Sequence, residues 1–584
     1  MELLDSRRLT GPNLVWSSPG ALLEVRFSGK NERVVELWKQ HIVLLRNALG
    51  LPDMDLAVKR TRPGAWLVVG GPIDQLYGLI DLSELAWQRA VASCGGANGG
   101  ESAGASGGAA ISVSETDEEA TELSEASIAA SLAEERNPAL LALQREAERH
   151  NVAFLWDDDL VSLGMGVHSQ SWPVRSIPDL NRIDWSHYSS VPIAVITGTN
   201  GKSTNVRLLS FIATLDQRSV GSTSTDWIRV GDEVVDTGDY SGPGGARTIL
   251  RHPKVELAIL ETARGGLLRR GAGPSQANVA VITNVAEDHM GQYGIDSVEE
   301  LAEAKLIVAQ LVEKNGVLVL NADDANLLQA GKTAEASAIC WFSLDSDSPT
   351  IQNHLQKGGT ACFVESGSIV FQRGATRLFD LPLDAIPITL GGKARYNVSN
   401  CLSVVAAAFA LKLSAKAIQQ GLERFESTPD TNPGRSNYFQ AGSHTVLLDY
   451  AHNVHGLKAI LDTTARLTSS RRIITLSTAG DRTDREIRQM VAETVKEGID
   501  VILLADCVGY ERELGKGGVP KIMADEMKRL GRSADVFDSE LDAAAAAFEL
   551  AEPRDMIILL VKAQRQETLD LIHRYQQASH HASS

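Results

Sequence analysis

Short apolar runs alternate with amphipathic segments along most of the chain after residue 190. The run Val191–Ile196 is apolar and β-branched, which predicts a buried strand. In the segment after it, apolar residues recur at helical spacing: Leu208, Leu209, Ile212 and Leu215. Further predicted strands are Val255–Leu260, Ala280–Thr283, Val317–Leu320, Val446–Leu448, Ile473–Leu476, Val501–Leu504 and Met556–Leu560. Strands that alternate with helices favour α/β domains built on parallel sheets.

The first 92 residues follow a different pattern. Two apolar runs, Ala21–Phe27 and Ala65–Val69, predict strands on either side of a helix over Val34–Leu49. We therefore expect a small α+β domain over residues 1–92. Arg7 and Arg8 have no catalytic spacing around them, and we interpret them as solvated charges.

The middle of the chain contains a change in composition. Residues 93–135 are rich in Gly, Ala and Ser and then in acidic residues, with few large apolar side chains. Burial cannot offset the ordering entropy of such a segment, which predicts a flexible linker followed by a connecting segment over 136–185. The stretch Asn432–Arg435 then separates a central α/β domain, 186–430, from a Rossmann-like C-terminal α/β domain, 431–584. The predicted fold class is thus multidomain α/β.

The composition of the chain limits the kinds of function and partner that we expect for it. The 584 residues include 56 basic and 74 acidic side chains, a formal net charge of −18. This acidity argues against broad binding to nucleic acids or anionic membranes, which requires a basic surface. The five cysteines are scattered without a CxxC pair, which favours reduced thiols over a disulfide framework or a zinc site. No run has the length of a membrane span and no apolar signal core is present, so we expect a cytoplasmic protein.

The sequence GTNGKST joins the first predicted strand of the central domain to its helix. It comprises Gly198, Thr199, Asn200, Gly201, Lys202, Ser203 and Thr204. In a strand–loop–helix arrangement, backbone N–H groups and the helix dipole point at phosphates, while Lys202 adds a positive charge and Ser203 a hydroxyl for Mg²⁺. An ordinary Gly-rich turn would not explain Lys-Ser-Thr at the start of a helix. We therefore expect this loop to bind a nucleoside triphosphate.

Two possible metal ligands follow predicted strands next to this loop. Glu261 ends the run Val255–Leu260, and His289 follows the run Ala280–Thr283. Ligands of open α/β sheets sit at the carboxyl ends of strands, so both residues are candidates for Mg²⁺. Each is alternatively an ordinary cap or loop residue, and spacing alone does not decide. Lys305, in the run LAEAKLIV, has the pattern of a surface lysine whose stem packs on apolar neighbours.

Eight short stretches occur in an order and at spacings that resemble those of the Mur ligase superfamily. They are GTNGKST (198–204), LETARGG (260–266), TNVAEDH (283–289), LAEAKLIV (301–308), NADD (321–324), LGGKARYNVSN (390–400), NPGRSN (432–437) and DYAHN (449–453). The ETARGG and GGKA forms are most similar to the C-terminal, Mur-like half of cyanophycin synthetases, and residues 9–16 resemble the start of that family's N-terminal domain. Two features depart from that family. No ATP-grasp module fits in the roughly 30 residues between Gly166 and the phosphate loop, and Tyr396 stands where the family usually has His.

The resemblance implies a role for each matching residue. Lys202 would contact the β- and γ-phosphates, Ser203 and Glu261 would hold one Mg²⁺, and His289 would bind a second. Lys305 matches the lysine that is carbamylated in many Mur ligases, which would make it a carboxylate-like metal ligand rather than a surface residue. Around the nucleotide and the amine, the implied residues are Asn397 and Asn400 near adenine, Arg435 on phosphate, Asp449 on the ribose and His452 beside the incoming amine.

These features predict an ATP-dependent, ADP-forming ligase that activates a carboxylate as an acyl phosphate and joins it to an amine. In cyanophycin synthetases the Mur-like half adds Arg to the side chain of Asp. The resemblance therefore implies an Asp β-carboxylate or a related peptide as acceptor, and Arg or another amino acid or amine as nucleophile. It also implies ATP and Mg²⁺ as cofactors and a homo-oligomer. Two alternatives remain open: a folylpolyglutamate- or peptidoglycan-type ligase, and an ATP-binding, non-catalytic partner or regulator of a full-length synthetase.

Overall fold

A computed structural model describes residues 1–29, 32–62, 64–95, 123–332 and 338–582 of the chain. Within those residues, no helix combines the length and the apolar composition that crossing a membrane takes. Three regions with their own apolar cores follow one another along the chain: an N-terminal unit, a large middle domain and a C-terminal domain. The predicted multidomain α/β fold class is confirmed.

The N-terminal unit is a four-stranded antiparallel sheet covered by helices. Its elements are β1 (Glu2–Leu9), β2 (Gly20–Arg26), α1 (Arg33–Ala48), β3 (Leu56–Thr61), β4 (Gly64–Gly70) and α2 (Leu76–Gly95). The sheet order is β1–β2–β4–β3, so the two continuous apolar runs form its central strands, β2 and β4. These strands pack against α1 and α2 through a core that contains Trp38. The strands and the helix expected over Ala21–Phe27, Val34–Leu49 and Ala65–Val69 are confirmed.

Near the start of the chain, Arg7 is buried and Arg8 is partly buried, and both are paired with carboxylates, so their interpretation as solvated charges was wrong. Arg7 is 5% exposed, and its Nη1 donates to Glu24 Oε2 over 2.8 Å. Arg8 Nη1 donates to Asp158 Oδ1 over 2.6 Å, and its guanidinium lies 3.8 Å from the ring centroid of Tyr77. These partners are 17 or more residues away in sequence, so the local pattern around each arginine does not reveal them.

A helix occupies the last part of the segment that the sequence predicts as a flexible linker. Residues 96–122 of that segment lie outside the described residues. Helix α3 (Glu125–Glu135) begins with a capping box formed by Ser124 and Ser127, and its Ile128 and Leu132 are buried in the core beside α2. Ile128 and Leu132 are spaced i,i+4 and therefore lie on one helix face. The prediction of a linker rested on the acidic composition of the whole segment and did not take this pair into account.

A connecting segment follows. Helix α4 (Pro138–Arg149) precedes a small antiparallel sheet of β5 (Phe154–Trp156), β6 (Leu160–Leu163) and β7 (Gln170–Pro173). Leu140, Leu143 and Val161 form the centre of a separate small core in this segment.

The middle domain is built on an eleven-stranded sheet. Its first half comprises β8 (Ile193–Thr197), α5 (Lys202–Leu215), β9 (Val220–Thr223), β10 (Trp227–Val230), β11 (Glu233–Thr237), α6 (Pro243–Leu250), β12 (Leu257–Glu261), α7 (Arg264–Arg270), β13 (Ala277–Ile282) and α8 (Val298–Lys305). Its second half comprises β14 (Val312–Asn321), α9 (Ala325–Ala330), β15 (Ile339–Ser343), α10 (Pro349–Gln356), β16 (Thr360–Glu365), β17 (Ser368–Arg373), β18 (Thr376–Pro382), α11 (Arg395–Ala410) and α12 (Ala415–Arg424).

The order of these strands brings several strand ends together. The sheet order is β11–β10–β9–β12–β8–β13–β14–β15–β16–β17–β18, with parallel pairing from β9 to β16 and antiparallel hairpins at both ends. Glu261 of β12 pairs with Ile196 of β8, and Ile282 of β13 pairs with Thr197. The loops after all three strands therefore leave the same edge of the sheet side by side.

The C-terminal domain is a second, six-stranded α/β sheet. Its elements are β19 (Asn437–Ala441), β20 (His444–Asp449), α13 (Val454–Ala465), β21 (Arg472–Leu476), α14 (Asp484–Lys496), β22 (Val501–Ala505), α15 (Gly518–Arg529), β23 (Asp535–Phe537), α16 (Glu540–Leu550), β24 (Met556–Leu560) and α17 (Arg565–Ala582). The order is β19–β20–β24–β21–β22–β23, and only the β19–β20 hairpin is antiparallel.

The N-terminal unit docks on the middle domain at α7. The segment after β1 passes along the end of this helix, where Thr10 N donates to Arg270 O over 2.8 Å. Asn13 Nδ2 donates to Leu267 O over 2.8 Å. A Cβ on Gly11 would lie 2.2 Å from Ala272 O, so these two segments of the chain approach too closely for any residue other than Gly at position 11. The boundaries predicted for the individual domains stay predictions.

Candidate functional site

A cavity of about 860 Å³ lies between the middle and C-terminal domains, at the carboxyl ends of their strands. Every residue predicted for a site lines it. From the middle domain these are Gly198, Thr199, Asn200, Gly201, Lys202, Ser203, Thr204, Glu261, His289, Lys305, Asn397 and Asn400; from the C-terminal part they are Arg435, Asp449 and His452. Parallel sheets place the loops after their strands at one edge, which explains why residues distant in sequence meet here. The role of each residue stays a prediction.

The phosphate loop connects β8 to α5. Gly201 has a φ of 87°, and a Cβ there would lie 2.3 Å from Asn400 Oδ1, so this position requires Gly. Lys202 Nζ donates to two carbonyl oxygens of this loop, that of Gly198 over 3.1 Å and that of Thr199 over 3.0 Å. Because α5 begins at Lys202, the N–H groups of its first turn face the cavity end of the helix.

Glu261 is buried beside this loop. It is 2% exposed, and its carboxylate accepts from Thr225 Oγ1 over 2.9 Å and from Thr225 N over 3.3 Å. Glu261 and Ser203 both line the cavity, and carboxylate and hydroxyl oxygens are the kind of ligand that Mg²⁺ prefers. Within the described ranges, no cluster of three or more His, Cys, Asp or Glu side chains forms a metal site.

His289 lies in the loop after β13 with a φ of 51°, in the left-handed region. Burial lowers the pKa of its imidazole, and the nearby Arg482 and Arg264 lower it further although Asp288 opposes them. Arg482 Nη2 donates to His289 Nε2 over 3.0 Å, whereas His289 Nδ1 is buried and has no hydrogen-bond partner among the residues that the structure describes. His289 is therefore neutral and contacts a cationic side chain of the C-terminal domain.

Lys305 is the last residue of α8 and is only 3% exposed, so the interpretation as a surface lysine was wrong. Burial lowers the pKa of its ammonium group well below the usual range, and the positive charges of Lys202 and Arg264 act in the same direction. Within the described part of the chain its Nζ has no hydrogen bond or ion pair. Burial therefore favours the uncharged, nucleophilic form of this amine.

Asn397 and Asn400 lie on the first turns of α11 and form a hydrogen-bonded chain behind the phosphate loop. Asn205 Nδ2 donates to Asn400 Oδ1 over 3.0 Å, and Asn400 Nδ2 donates to Asn397 Oδ1 over 3.1 Å. The hydroxyl of Tyr396, on the same turn, contacts the Ser436 hydroxyl, which lies in the segment that connects the two domains. The position that departs from the family pattern thus contributes to the junction between the domains.

Asp449 ends β20 and faces the cavity from the C-terminal domain. It accepts from Ser436 N and Ala451 N, each over 2.7 Å. Burial raises the pKa of its carboxyl group, while Arg435 opposes that shift. The guanidinium of Arg435 lies 4.2 Å from the ring centroid of Tyr450, in cation–π contact.

His452 lies on the loop after β20. Its Nε2 is 3.9 Å from Asp288 Oδ1 of the middle domain, and its ring is in edge contact with Tyr450 at 5.2 Å between centroids. Burial lowers the pKa of His452 to about 3, although the charge of Asp288 opposes this. The imidazole is therefore neutral near pH 7 and can accept a hydrogen bond.

Sequence reasoning missed several charged residues of the cavity. Asp288 of the middle domain contacts two residues of the C-terminal domain. Arg482 Nη1 donates to its Oδ1 over 2.8 Å, and His452 lies near the same oxygen. Burial alone would raise the pKa of the Asp288 carboxyl group. The electrostatic interactions with His452 and Arg482 outweigh this effect, so the pKa lies below the usual range. Other lining residues that were not predicted are Arg264, Tyr293, Asp324, Arg395, Asp481, Tyr510, Arg512 and Lys562. Two signals were available: Asp288, Arg264, Asp324 and Arg395 lie in the stretches that resemble the Mur ligase superfamily, and Asp481 and Arg482 come just after a predicted strand.

A second interdomain contact lies behind Glu261. Asp226, next to Thr225, accepts from Arg207 of the phosphate-loop helix and, over 2.9 Å, from Arg565 Nη1 of α17. Arg207 also donates to Asn432 Oδ1 over 2.9 Å, at the crossing between the domains. Its guanidinium is 4.5 Å from the ring centroid of Trp227. One buried carboxylate thus joins the phosphate-loop helix to the C-terminal domain.

Comparison with known proteins identifies two parts of the chain. Residues 196–408 match the Mur ligase middle domain, and residues 434–562 match the Mur ligase, glutamate ligase domain. The chain is 36% identical to cyanophycin synthetase of Nostoc sp. over 377 residues, which are 63% of this chain and 41% of that protein. It is 39% identical to cyanophycin synthetase of Synechocystis sp. over 302 residues, 52% of this chain and 34% of that protein. The chain therefore spans about two fifths or less of the length of these relatives.

More distant similarities extend to other ligases. UDP-N-acetylmuramoyl-L-alanyl-D-glutamate--2,6-diaminopimelate ligase of Listeria monocytogenes is 26% identical over 382 residues, 63% of this chain and 72% of that protein. Among solved structures, E. coli FolC in complex with ADP superposes with a TM-score of 0.49 and 18% identity, covering 66% of this chain and 90% of that chain. An overlap of that degree identifies neither a substrate nor a nucleotide for this protein.

Proposed function

We propose that this chain, which carries the middle and glutamate ligase domains of the Mur ligase family, is an ATP-dependent ligase that joins a carboxylate to an amine. One observation carries the proposal: residues from eight separate stretches line a single cavity that contains a phosphate loop. No structural requirement of either domain explains why Lys202, Glu261, Lys305 and Arg435 should all face that space.

The first step is activation of the carboxylate. One of its oxygens attacks the γ-phosphorus of ATP, the bond to the β–γ bridging oxygen breaks, and ADP leaves. Catalysis of phosphoryl transfer is mostly positioning and neutralisation of charge. Lys202, which lies against the loop carbonyls, would turn its ammonium to the β- and γ-phosphates, and Arg435 would contact phosphate from the C-terminal side.

A magnesium ion would neutralise the phosphate charge in this step, and Ser203 and Glu261 would hold it. The proposed second ion has a less complete site, because Arg482 contacts the Nε2 of its predicted ligand His289. Carbamylation of Lys305 would add an anionic oxygen donor. In that reaction the neutral Nζ attacks the carbon of CO₂ and loses one proton, which leaves a carbamate with a single negative charge. The buried position and lowered pKa of Lys305 support this modification.

The second step is formation of the amide. The amine nitrogen attacks the acyl carbon, phosphate leaves with the bridging oxygen, and the nitrogen loses a proton. His452 is neutral at the cavity wall and would accept a hydrogen bond from the amine. Asn397 and Asn400 would lie near adenine, and Asp449 would bind the ribose. Contacts between the two domains, such as that of Arg482 with Asp288, would limit access of water, which would otherwise hydrolyse the acyl phosphate.

For substrates, we propose a carboxylate of the Asp β-carboxylate class, free or in a peptide, and Arg or another amino acid or amine. The similarity to cyanophycin synthetases supports this choice. The protein would act in the cytoplasm, and as a homo-oligomer, which light scattering after size-exclusion chromatography would test.

The test is a phosphate-release screen with ATP, Mg²⁺, candidate acceptors and candidate amines, with blanks that omit one substrate. An acceptor labelled with ¹⁸O in its carboxylate should transfer one labelled oxygen to the released phosphate, which mass spectrometry detects. Release that depends on glutamate or on nucleotide sugars would favour a folylpolyglutamate- or peptidoglycan-type ligase instead. Nucleotide binding with no substrate-dependent release for any pair would contradict the ligase and favour a regulatory partner.

A further inference from the structure

The loop between β13 and α8, which carries His289, has an unusual backbone. Four of its residues have φ in the left-handed region: His289 at 51°, Gly291 at 80°, Tyr293 at 54° and Gly294 at 62°. For His and Tyr this conformation is unfavourable by about 1–3 kcal/mol each, so it persists only where surrounding groups hold it. The contacts of this loop with other elements therefore decide where His289 lies.

One set of contacts comes from the N-terminal unit. The guanidinium of Arg7 lies 5.6 Å from the ring centroid of Tyr293 and 5.2 Å from that of Trp66, so it is located between the two rings. Arg7 is itself fixed by the ion pair with Glu24. Next to Tyr293, Gly294 packs directly on the same unit, because a Cβ there would lie 2.8 Å from Thr61 Cγ2.

A second set of contacts comes from the cavity side. The guanidinium of Arg264, at the start of α7, is 5.9 Å from the centroid of the Tyr293 ring. Arg264 Nη1 donates to His289 O over 2.7 Å, and its Nη2 donates to Gln292 Oε1 over 3.1 Å. Arg264, His289, Gln292 and Tyr293 all line the cavity. A continuous series of contacts thus leads from Arg7 through Tyr293 and Arg264 to the backbone of His289.

We infer that the N-terminal unit braces the active-site loop, with Tyr293 as the positioning residue through which Arg7 acts. Nothing else proposed for this chain gives the N-terminal unit a role in the reaction. The aromatic face is the part of Tyr293 that matters, because the two guanidinium groups contact its ring rather than its hydroxyl. The effect on turnover rests on the proposed ligase function, whereas the effect on loop order does not.

The test compares Tyr293→Ala with Tyr293→Phe by hydrogen–deuterium exchange over residues 286–296. Loss of the ring should raise the exchange rate of this segment about tenfold, including the amide of Gly291, which donates to Ile295 O over 2.8 Å. Phenylalanine retains the ring and should restore the wild-type exchange. If the ligase function holds, Tyr293→Ala should lower kcat by a similar factor with little change in the KM for ATP, because the phosphate loop is untouched.

Two more variants separate bracing from general damage. Tyr77→Ala removes a tyrosine of the N-terminal unit that also lies under an arginine, Arg8, but Tyr77 is half exposed and has no hydrogen bond or ring contact with the loop among the described residues. It should leave the exchange of 286–296 and turnover unchanged. Arg7→Lys retains the charge beside Glu24 but loses the planar contact with Tyr293, so it should loosen the loop while the melting temperature stays close to that of the wild type.

Wild-type exchange over 286–296 in both Tyr293→Ala and Arg7→Lys would overturn the inference. So would identical loosening in Tyr293→Phe and Tyr293→Ala, since the hydroxyl would then be the relevant group. If the wild-type protein releases no phosphate with any substrate pair, the proposed function fails, and the exchange measurements still decide whether the N-terminal unit braces the loop.

Discussion

The two walls of the cavity are built differently. The middle-domain wall includes one contiguous loop, Gly198–Thr204, which presents main-chain groups and mostly short side chains at the start of a helix. The C-terminal wall comes from several separate loops, and some of the side chains on these loops contact the middle domain. Asn453 exchanges two hydrogen bonds of 3.2 Å with Asn200, and Arg482 contacts Asp288. The predicted phosphate loop therefore belongs to one domain, whereas completion of the site depends on how the two domains meet.

The largest effect is expected in the middle-domain wall. Lys202→Ala should lower kcat/KM for ATP by about 100- to 1,000-fold, because it removes the positive charge of the phosphate loop. The melting temperature should stay unchanged, since the ammonium contacts only carbonyl groups of its own loop. Lys496→Ala, at an exposed lysine, is the control in steady-state assays. Near-normal activity of Lys202→Ala would remove the phosphate loop from the mechanism.

Asp226, the carboxylate that links the middle and C-terminal domains, should contribute to the stability of the fold. Asp226→Asn leaves the buried Arg207 without its ionised partner, which should lower the free energy of unfolding by about 3 kcal/mol. Chemical denaturation measures this, and Asp232→Asn, at an exposed turn, should change it by less than about 0.5 kcal/mol. Equal stability of the two variants would contradict the assignment of Asp226 as the interdomain link.

In the C-terminal wall, Arg482→Ala should separate binding from turnover. The residue contacts Asp288 and His289 but not the phosphate loop. We expect kcat to fall about tenfold while the affinity for ATP, measured by calorimetry, stays the same. Arg466→Ala, at an arginine paired with Asp462 on the surface, serves as control. If Arg482→Ala lost as much ATP affinity as Lys202→Ala, the C-terminal wall would contribute to ATP binding and not only to turnover.

Glu261→Gln tests the metal assignment within the middle-domain wall. The amide retains the shape but loses the charge, so the Mg²⁺ concentration for half-maximal activity should rise by about tenfold. A titration of Mg²⁺ at constant ATP measures this, with Glu549→Gln at an exposed position as control. An unchanged titration would show that Glu261 is a structural partner of Thr225 and not a ligand.

The smallest effect concerns His452 and pH. Its pKa is about 3 in the folded protein and about 6.5 in the unfolded chain, so between these values only the unfolded state binds a proton. Its contribution to stability is complete above pH 6.5 and is lost as the pH falls towards 3. At pH 5 the loss is about 1 kcal/mol, after allowance for the 26% exposure of the side chain.

His452→Asn should therefore show a smaller decrease in melting temperature between pH 7.5 and pH 5 than the wild type. His187→Asn, at a residue that is 76% exposed, should behave as the wild type does. A decrease of the same size in His452→Asn would mean that the imidazole of the wild-type protein is not held neutral by the cavity.

Some parts of the site were readable in the sequence because they are local. The phosphate loop needs only a strand, a Gly-rich turn and a helix start, and all three lie within Val191–Leu215. Glu261 and His289 were placed at strand ends from the apolar runs before them. Lys305 shows the limit of such reasoning, because its apolar neighbours fitted a surface lysine as well as a buried one, and the packing of α8 decides between them.

The sequence alone determined the parallel α/β pattern and the Gly-rich loop between β8 and α5, because each depends on periodicity or on a contiguous motif. Tertiary structure alone decided which charges are paired. Arg7 reaches Glu24, Arg482 reaches Asp288, and Arg565 reaches Asp226 across separations of 17 to 339 residues. A long charged side chain can pair with any of many carboxylates within its reach. Strand order and the contacts between domains therefore decide which carboxylate it meets, and the residues next to it in the chain do not.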